Sequence, residues 1–452
     1  MMRPTLIEQA CSRPYEQLED HWMLKFLRWS AVVTAMLLVL AACTPASESA
    51  EPTGSESSAP STEDPTAVCA ADALGCVEIP AGEPIHIAMW GVLSGPDAAL
   101  GTDAMRGVEI AIDDRDGTLL GRDIQLTTED GLCTPEGGAT AAQRLAADST
   151  LVGLIGSVCS DETVGGIQTI SDAGLTTISP SNTRPALTAE DRGPEYAGYM
   201  RTAHSDAFQG KAVAEFLFNE LGLTKAATIH DGSAYAEALQ GVFADNFTAL
   251  GGEITIQEAV SKGQTDMVPV LTRVAATSPE VVYYPIFTAE GGFITAQVRD
   301  VAGLEDVVIM GSDGLFSPDF LTAAGPNAEG MYLSSPDFTS FADAYQSFLE
   351  KHTAKYGENP LQIFHAHGYD ASNMLFDALE DVTLTDADGT LWVPKQALRD
   401  RLFATADFAG LTGTLSCSPT GDCGAPVIAV YQITATEVND PTQWPPDAPI
   451  WP

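Results

Sequence analysis

The sequence predicts an α/β protein of two doubly wound lobes, each a mostly parallel sheet with helices on both faces. Three observations carry this. From Ile85 onward, short apolar runs alternate with segments of helical period. The alternation reaches about Ser179 and then restarts at Phe208. A chain of 452 residues with a 45% hydrophobic fraction also has the length and the apolar material for two or three domains.

In the first run, Ile85 to Trp90 reads as a strand, Gly91 to Gly101 as a Gly/Ser/Pro loop, and Thr102 to Asp113 as a helix. That helix carries Met105, Val108, Ile110 and Ile112. A strand at Ile124 to Thr128, an Ala-rich helix at Gly137 to Ala147 and a strand at Leu151 to Ile155 follow. A helix at Thr163 to Ala173 and a strand at Thr176 to Ser179 complete the run. The second run opens with a helix at Phe208 to Leu221. It has strands at Lys225 to His230, Glu253 to Ala259, Val281 to Pro285 and Val307 to Gly311. Helices at Tyr235 to Leu250, Asp266 to Ala276 and Gly292 to Val301 separate them. Ala342 to Lys355 and His365 to Leu379 are two more helices, and after Leu391 a short helix leads to Gly410. A β-hairpin around Cys417 and Cys423 comes last, with Val427 to Ile433 as its second arm.

The N-terminus is a targeting signal. Lys25 and Arg28 precede an apolar run from Ala31 to Ala42 that ends in Leu40-Ala41-Ala42-Cys43. A basic flank, a short apolar core and small residues before a cut define a secretory leader, and the run is too short to remain as a spanning helix. A Cys directly after Leu-Ala-Ala is similar to the bacterial lipoprotein box, which makes Cys43 the lipidation site and first mature residue. Thr44 to Pro65 is rich in Ser, Glu, Pro and Thr and has little to bury, as expected of a disordered tether. Met23 is the expected true start, because Glu8, Glu16, Glu19 and Asp20 do not suit a leader.

The chain has 62 Asp and Glu against 21 Lys and Arg, a formal charge of −41. A phosphate backbone would be repelled, so nucleic acid is excluded as a partner. Of eight Cys, Cys11 precedes the expected start and Cys43 is lipidated, leaving six. Cys69 and Cys76 bracket a short loop, and Cys417 and Cys423 flank the turn sequence Ser-Pro-Thr-Gly-Asp. Cys133 and Cys159 end successive strands that would be neighbours if parallel. Export permits disulfides; buried thiols remain the alternative. Zinc is disfavoured because no Cys-x-x-Cys occurs.

Catalytic signatures are missing. No Gly-x-Ser-x-Gly elbow, dinucleotide fingerprint or phosphate loop follows a strand. His365-x-His367 with Asp370 could suggest a metal, but the two His do not share a helix face and read as ordinary polar helix residues, not metal ligands. Asp313 and Glu162 form no evident acid–base couple. Ligands of doubly wound sheets bind beyond the carboxyl ends of the strands, which singles out Ser94, Ser160, Ser181 to Thr183, Asp231 to Tyr235 and Asp313. No enzyme activity, cofactor or metal is expected.

From about Pro84 to Ile433 the chain resembles the leucine/isoleucine/valine-binding proteins of ABC importers. The resemblance is carried by Leu93-Ser94-Gly95-Pro96, Cys133-Thr134-Pro135, Ile155-Gly156-Ser157-Val158-Cys159-Ser160 and Ile178-Ser179-Pro180-Ser181-Asn182-Thr183 with Pro185-Ala186-Leu187-Thr188. It continues through Met200-Arg201-Thr202, Ile229-His230-Asp231 with Tyr235, Val281-Val282-Tyr283-Tyr284 and Ile309-Met310-Gly311-Ser312-Asp313-Gly314. It implies the type I periplasmic binding protein fold: two Rossmann-like lobes joined by a three-crossover hinge, near Arg201 to His204, Leu333 to Pro336 and Gly410 to Thr414. The implied organisation is a leader at 1–42 and an acylated Cys and tether at 43–67. The first lobe would comprise 84–202 and 336–410, the second 203–335 and 411–438. It also implies the Cys133–Cys159 disulfide.

The resemblance implies that Ser160, Ser181 and Thr183 hold a solute α-carboxylate, that Asp313 meets the α-ammonium, and that Tyr235 lies over the ligand. Phe364 would line the pocket. Two departures stand out: Asp313 replaces the usual Glu, and Leu100 replaces an aromatic at the side-chain end. The implied function is binding of an amino acid or similar zwitterion by a monomer that hands it to a membrane permease. An amide, urea or small aromatic acid as solute, and a ligand-sensing subunit of a membrane receptor, are the alternatives.

Overall fold

The computed structural model describes residues 64–446 and 448–452. The leader, Met23, Cys43 and the tether up to residue 63 lie outside the described residues. The tether is expected to reach residue 67, but a helix, α1 (Pro65–Ala71), begins before that. Asp64 accepts the Thr66 N–H at 3.0 Å as its cap, and Pro65 supplies a preset first helical turn. The Cys69–Cys76 disulfide fastens α1 to β1 (Cys76–Ile79).

The first large sheet holds β2 (Ile85–Gly91), β3 (Thr118–Leu119), β4 (Arg122–Asp130), β5 (Leu151–Gly156), β6 (Thr177–Ser179) and β7 (Tyr199–Arg201). Its order is β3-β4-β2-β5-β6-β7, parallel except for the β3–β4 return. Every residue of β2 is buried, which is why this strand reads as a nearly unbroken apolar run. The connecting helices are α2 (Ala98–Asp113), α3 (Pro135–Ala147) and α4 (Ser160–Asp172). α2 and α4 begin earlier than the sequence suggests, so Ser160 is the first residue of a helix rather than part of a loop.

The second sheet holds β8 (Lys225–His230), β9 (Glu253–Ala259), β10 (Val281–Tyr284), β11 (Val308–Gly311) and β12 (Tyr332–Pro336), all parallel, with β17 (Ile428–Gln432) added at the β12 edge. Around it lie α5 (Asp206–Glu215), α6 (Ala234–Ala249), α7 (Val268–Ala275), α8 (Thr288–Val298) and α9 (Pro318–Ala324). Between β12 and β17 the chain returns to the first sheet through α10 (Ala344–Tyr356) and α11 (His365–Val382). It continues through β13 (Leu384–Thr385), β14 (Leu391–Pro394) and α12 (Lys395–Phe403), then the hairpin β15 (Phe408–Gly410) and β16 (Gly413–Leu415). α13 (Ala435–Asn439) follows β17. α11 lies directly on α2. A Cβ at Gly107 would fall 1.9 Å from the His365 carbonyl oxygen, so only glycine permits this approach.

The hairpin expected around Cys417 and Cys423 does not form. β16 pairs with β15, and β17 runs antiparallel to β12, with Tyr332 opposite Gln432 and Pro336 opposite Ile428. The unpaired edge of β12 offers β17 a full ladder, which the short loop closed by Cys417 and Cys423 cannot. The Cys417–Cys423 disulfide instead closes a turn beside β7, where Asp422 meets Arg201 at 2.7 Å.

Candidate functional site

The carboxyl ends of β5 and β6 in the first lobe, and of β8, β10 and β11 in the second, face one cavity of about 10 Å³. Leu100, Val158, Cys159, Ser160, Ser181 and Thr183 form one wall, with Phe364 at the head of α11. Tyr235, Phe287, Asp313 and Gly314 form the other. The seven side chains that the sequence offers as ligand contacts therefore border a single space. Ser94 and Asp231 do not border it. Ser94 donates to Asp130 at 2.5 Å, and Asp231 accepts the Ser233 N–H at 2.8 Å, both shaping loops. Val158 and Phe287 were not singled out, although each follows a strand end as Ser160 and Asp313 do.

On the first lobe, Ser160 heads α4, where N–H groups lacking helical acceptors favour negative charge. Glu162 braces this end. Fully buried, it accepts the N–H groups of Cys133 at 3.0 Å, Val158 at 3.1 Å and Cys159 at 3.0 Å. It works beside the Cys133–Cys159 disulfide, which joins the same two loops. Burial pushes the Glu162 carboxyl up to about 7 against the pull of these donors. The Ser181 hydroxyl donates to the Val158 carbonyl at 2.6 Å. Its one proton is thereby engaged in tying two site loops together.

On the second lobe, the Tyr235 hydroxyl donates to Asp313 Oδ1 at 2.5 Å and lies 2.6 Å from Ser312 Oγ. Gln209 Nε2 donates to the same Asp313 oxygen at 3.0 Å and to Ser334 Oγ at 3.0 Å. Burial and the Asp313 charge push the Tyr235 phenol far above its usual range, so it remains a donor. Phe287 packs on Tyr235 with ring centroids 5.2 Å apart.

Phe364 is positioned from below. Asp103, buried on α2, accepts the N–H groups of Leu361, Gln362, Phe364 and His365 at 2.8–3.0 Å, and His365 Nδ1 at 3.0 Å. His365 is thus held by Asp103 and, at 2.8 Å, by the Tyr345 hydroxyl. Among the described residues no cluster of His, Cys, Asp and Glu could hold a metal ion.

Contacts cross between the lobes, among them two at the rim of the cleft. Asp161 of α4 accepts the Ala234 N–H, at the start of α6, at 3.1 Å. Lys262 of the second lobe donates to the Cys133 carbonyl at 2.8 Å. Near Lys262, burial pushes the Asp97 carboxyl up to about 6, with Lys262 opposing and Glu290 and Asp231 adding to the rise.

Two α/β lobes that close loops of both sheets over a small polar cavity define a solute-binding architecture. The chain belongs to the periplasmic binding protein family, whose profile matches residues 84–435. It is 28% identical over 355 residues to the Leu/Ile/Val-binding protein homolog 3 of Brucella melitensis, covering 77% of this chain and 91% of that protein. It is 29% identical over 266 residues to the Leu/Ile/Val-binding protein of Escherichia coli K12, covering 58% and 71%. The branched-chain amino acid transporter substrate binding protein LivJ of Streptococcus pneumoniae, solved with isoleucine, matches with a TM-score of 0.68 at 25% identity over 78% of this chain and 96% of that one. An ABC transporter solute-binding protein of Rhodopseudomonas palustris, solved with benzoate, shares the fold with a TM-score of 0.68 at 20% identity, over 78% and 94%. The protein is accordingly a solute-binding protein and not an enzyme, of a family that works outside the cytoplasm.

Proposed function

We propose that this protein is the solute-binding component of an ABC importer and that its solute is an amino acid, branched-chain or closely related. The observation that carries this is the polarity of the cavity. The head of α4 with Ser160 and Thr183 suits an anion, while Asp313, with only neutral donors around it, suits a cation across the same space. A zwitterion satisfies both ends. Val158, Leu100, Phe287 and Phe364 supply apolar surface for its side chain. A cavity of about 10 Å³ holds about one water, so a solute must enter between parted lobes. It docks on the first lobe, and Tyr235 and Asp313 then close over it. The closed form is the one a membrane permease selects. Acylation of Cys43, with more than one chain, keeps the monomer near that permease on its tether.

A thermal-shift screen over amino acids, amides, urea and small aromatic acids identifies the solute, since a ligand of the native state raises its melting point. Calorimetry then compares the wild type with Asp313→Ala. The variant is expected to lose about 2 kcal/mol or more of binding free energy, roughly thirtyfold in Kd. Tight binding of a neutral amide or an aromatic acid, unaffected by Asp313→Ala, overturns the amino-acid reading.

A further inference from the structure

A second cavity, of about 450 Å³, shares no lining residue with the cleft. It is large enough for a small organic molecule. A chain of aromatic rings lines it. Tyr345 of α10 lies parallel to Phe338 with ring centroids 6.4 Å apart. Phe338 meets Phe316 at 5.7 Å, and Phe316 meets Tyr431 of β17 at 5.2 Å and Trp444 at 4.6 Å. Trp444 belongs to a wall, residues 442–446, that lies beyond residue 435, where the family match ends. The chain on either side of this wall is pinned. The Trp444 N–H donates to the Pro441 carbonyl at 3.3 Å, and the Val430 N–H on β17 donates to the Trp451 carbonyl at 2.8 Å. The turn held by Asp103 divides the two spaces: Phe364 lines the cleft, while Gln362 and His365 line this cavity.

The polar groups here are neutral. None of the described lining residues is Asp, Glu, Lys or Arg. His365 has both ring nitrogens engaged, by Asp103 and by the Tyr345 hydroxyl. The Tyr431 hydroxyl accepts the Phe338 N–H at 3.2 Å. Gln362 differs from these. It is only 7% exposed, and its side-chain Oε1 is buried with no hydrogen-bond partner among the described residues. Buried acceptors are ordinarily paired, so this oxygen is available to an N–H or O–H of an occupant. A charged occupant would lose hydration without meeting a counter-ion. An aromatic one gains edge and face contacts with the surrounding rings.

We propose that this cavity is a second ligand site, for a small neutral aromatic compound whose N–H or O–H donates to Gln362 Oε1. The site is separate from the cleft and does not depend on which solute the cleft takes.

The probe is 2-naphthol, with 2-methoxynaphthalene as the analogue that has no donor and 2-naphthoate as the charged analogue. Calorimetry is expected to find 2-naphthol bound by the wild type. The methoxy analogue, and 2-naphthol on Gln362→Met, should bind about three- to tenfold more weakly, as loss of one hydrogen bond predicts. The charged analogue should also bind more weakly than 2-naphthol. Intermolecular NOEs from bound 2-naphthol to the Leu349 methyls and the Trp444 ring place it in this cavity, whereas NOEs to the Leu100 and Val158 methyls put it in the cleft and overturn the proposal. Gln346→Trp, at the exposed rim, is expected to block the probe without lowering the melting temperature. Full affinity in that variant overturns the site. Equal affinity for 2-naphthol and its methoxy analogue, or tighter binding of 2-naphthoate, overturns the ligand class. Absence of 2-naphthol binding to the wild type at about 1 mM overturns the proposal as a whole.

Discussion

The Asp103 carboxylate gathers four backbone N–H groups and one imidazole in the interior, fixing the turn that carries Phe364 into the cleft. Burial alone would raise its pKa, but His365 and the backbone donors outweigh burial and lower it. A lowered folded pKa means stability that is present above the ordinary carboxylate range and lost as pH falls through the folded value. Asp103→Asn leaves some of these donors unmet and is expected to cost about 3 kcal/mol at pH 7. Urea unfolding checks this, and the gap to wild type should narrow below about pH 4. Ser160, Thr183 and Asp313 were legible as candidates because each follows a strand, and all three line the cavity. Asp103 was not, because it stands 262 positions from the histidine it holds, and nothing local marks the pairing. Gln209 was missed for the same reason: a helix start beside a crossover gives no sign that its side chain will reach Asp313.

At the scale of elements, the loops after β4 and β5 are joined by the Cys133–Cys159 disulfide and by Glu162. Replacing both cysteines with Ser frees a loop with a sequence separation of 26, at an expected cost of about 3 kcal/mol. Denaturant unfolding of the double variant reads this loss. Calorimetry should also find weaker solute binding, since Cys159 lines the cavity. The long alternating elements were readable from periodicity. β7, β12 and α9 were not, because β7 has three residues, β12 contains Ser and Pro, and α9 has only seven residues, about two turns. The hairpin was misread because cysteine spacing marks a turn but does not say which strand will lie beside the next.

Across the whole molecule, closure depends on contacts that neither lobe makes alone. Lys262→Ala removes the bond to Cys133 and leaves Asp97 without the cation that opposes the rise of its carboxyl. The closed population should fall, lowering solute affinity about three- to tenfold by weakening the state the ligand selects. Calorimetry and small-angle scattering of the loaded protein measure the two effects. An unchanged affinity would show that Lys262 does not contribute to closure.

By itself, the sequence determined the α/β class, the two successive runs, the carboxyl-end location of the cavity and the polar residues that line it. These are local facts: hydrophobic period, turn chemistry and position after a strand act over a few residues. Only the tertiary structure decided that β17 joins β12, that Glu162 and Asp103 position the cavity loops from behind, and that Gln209 reaches Asp313. Those depend on which surfaces meet when distant segments pack, and a buried charge takes its meaning from neighbours that the chain order does not reveal.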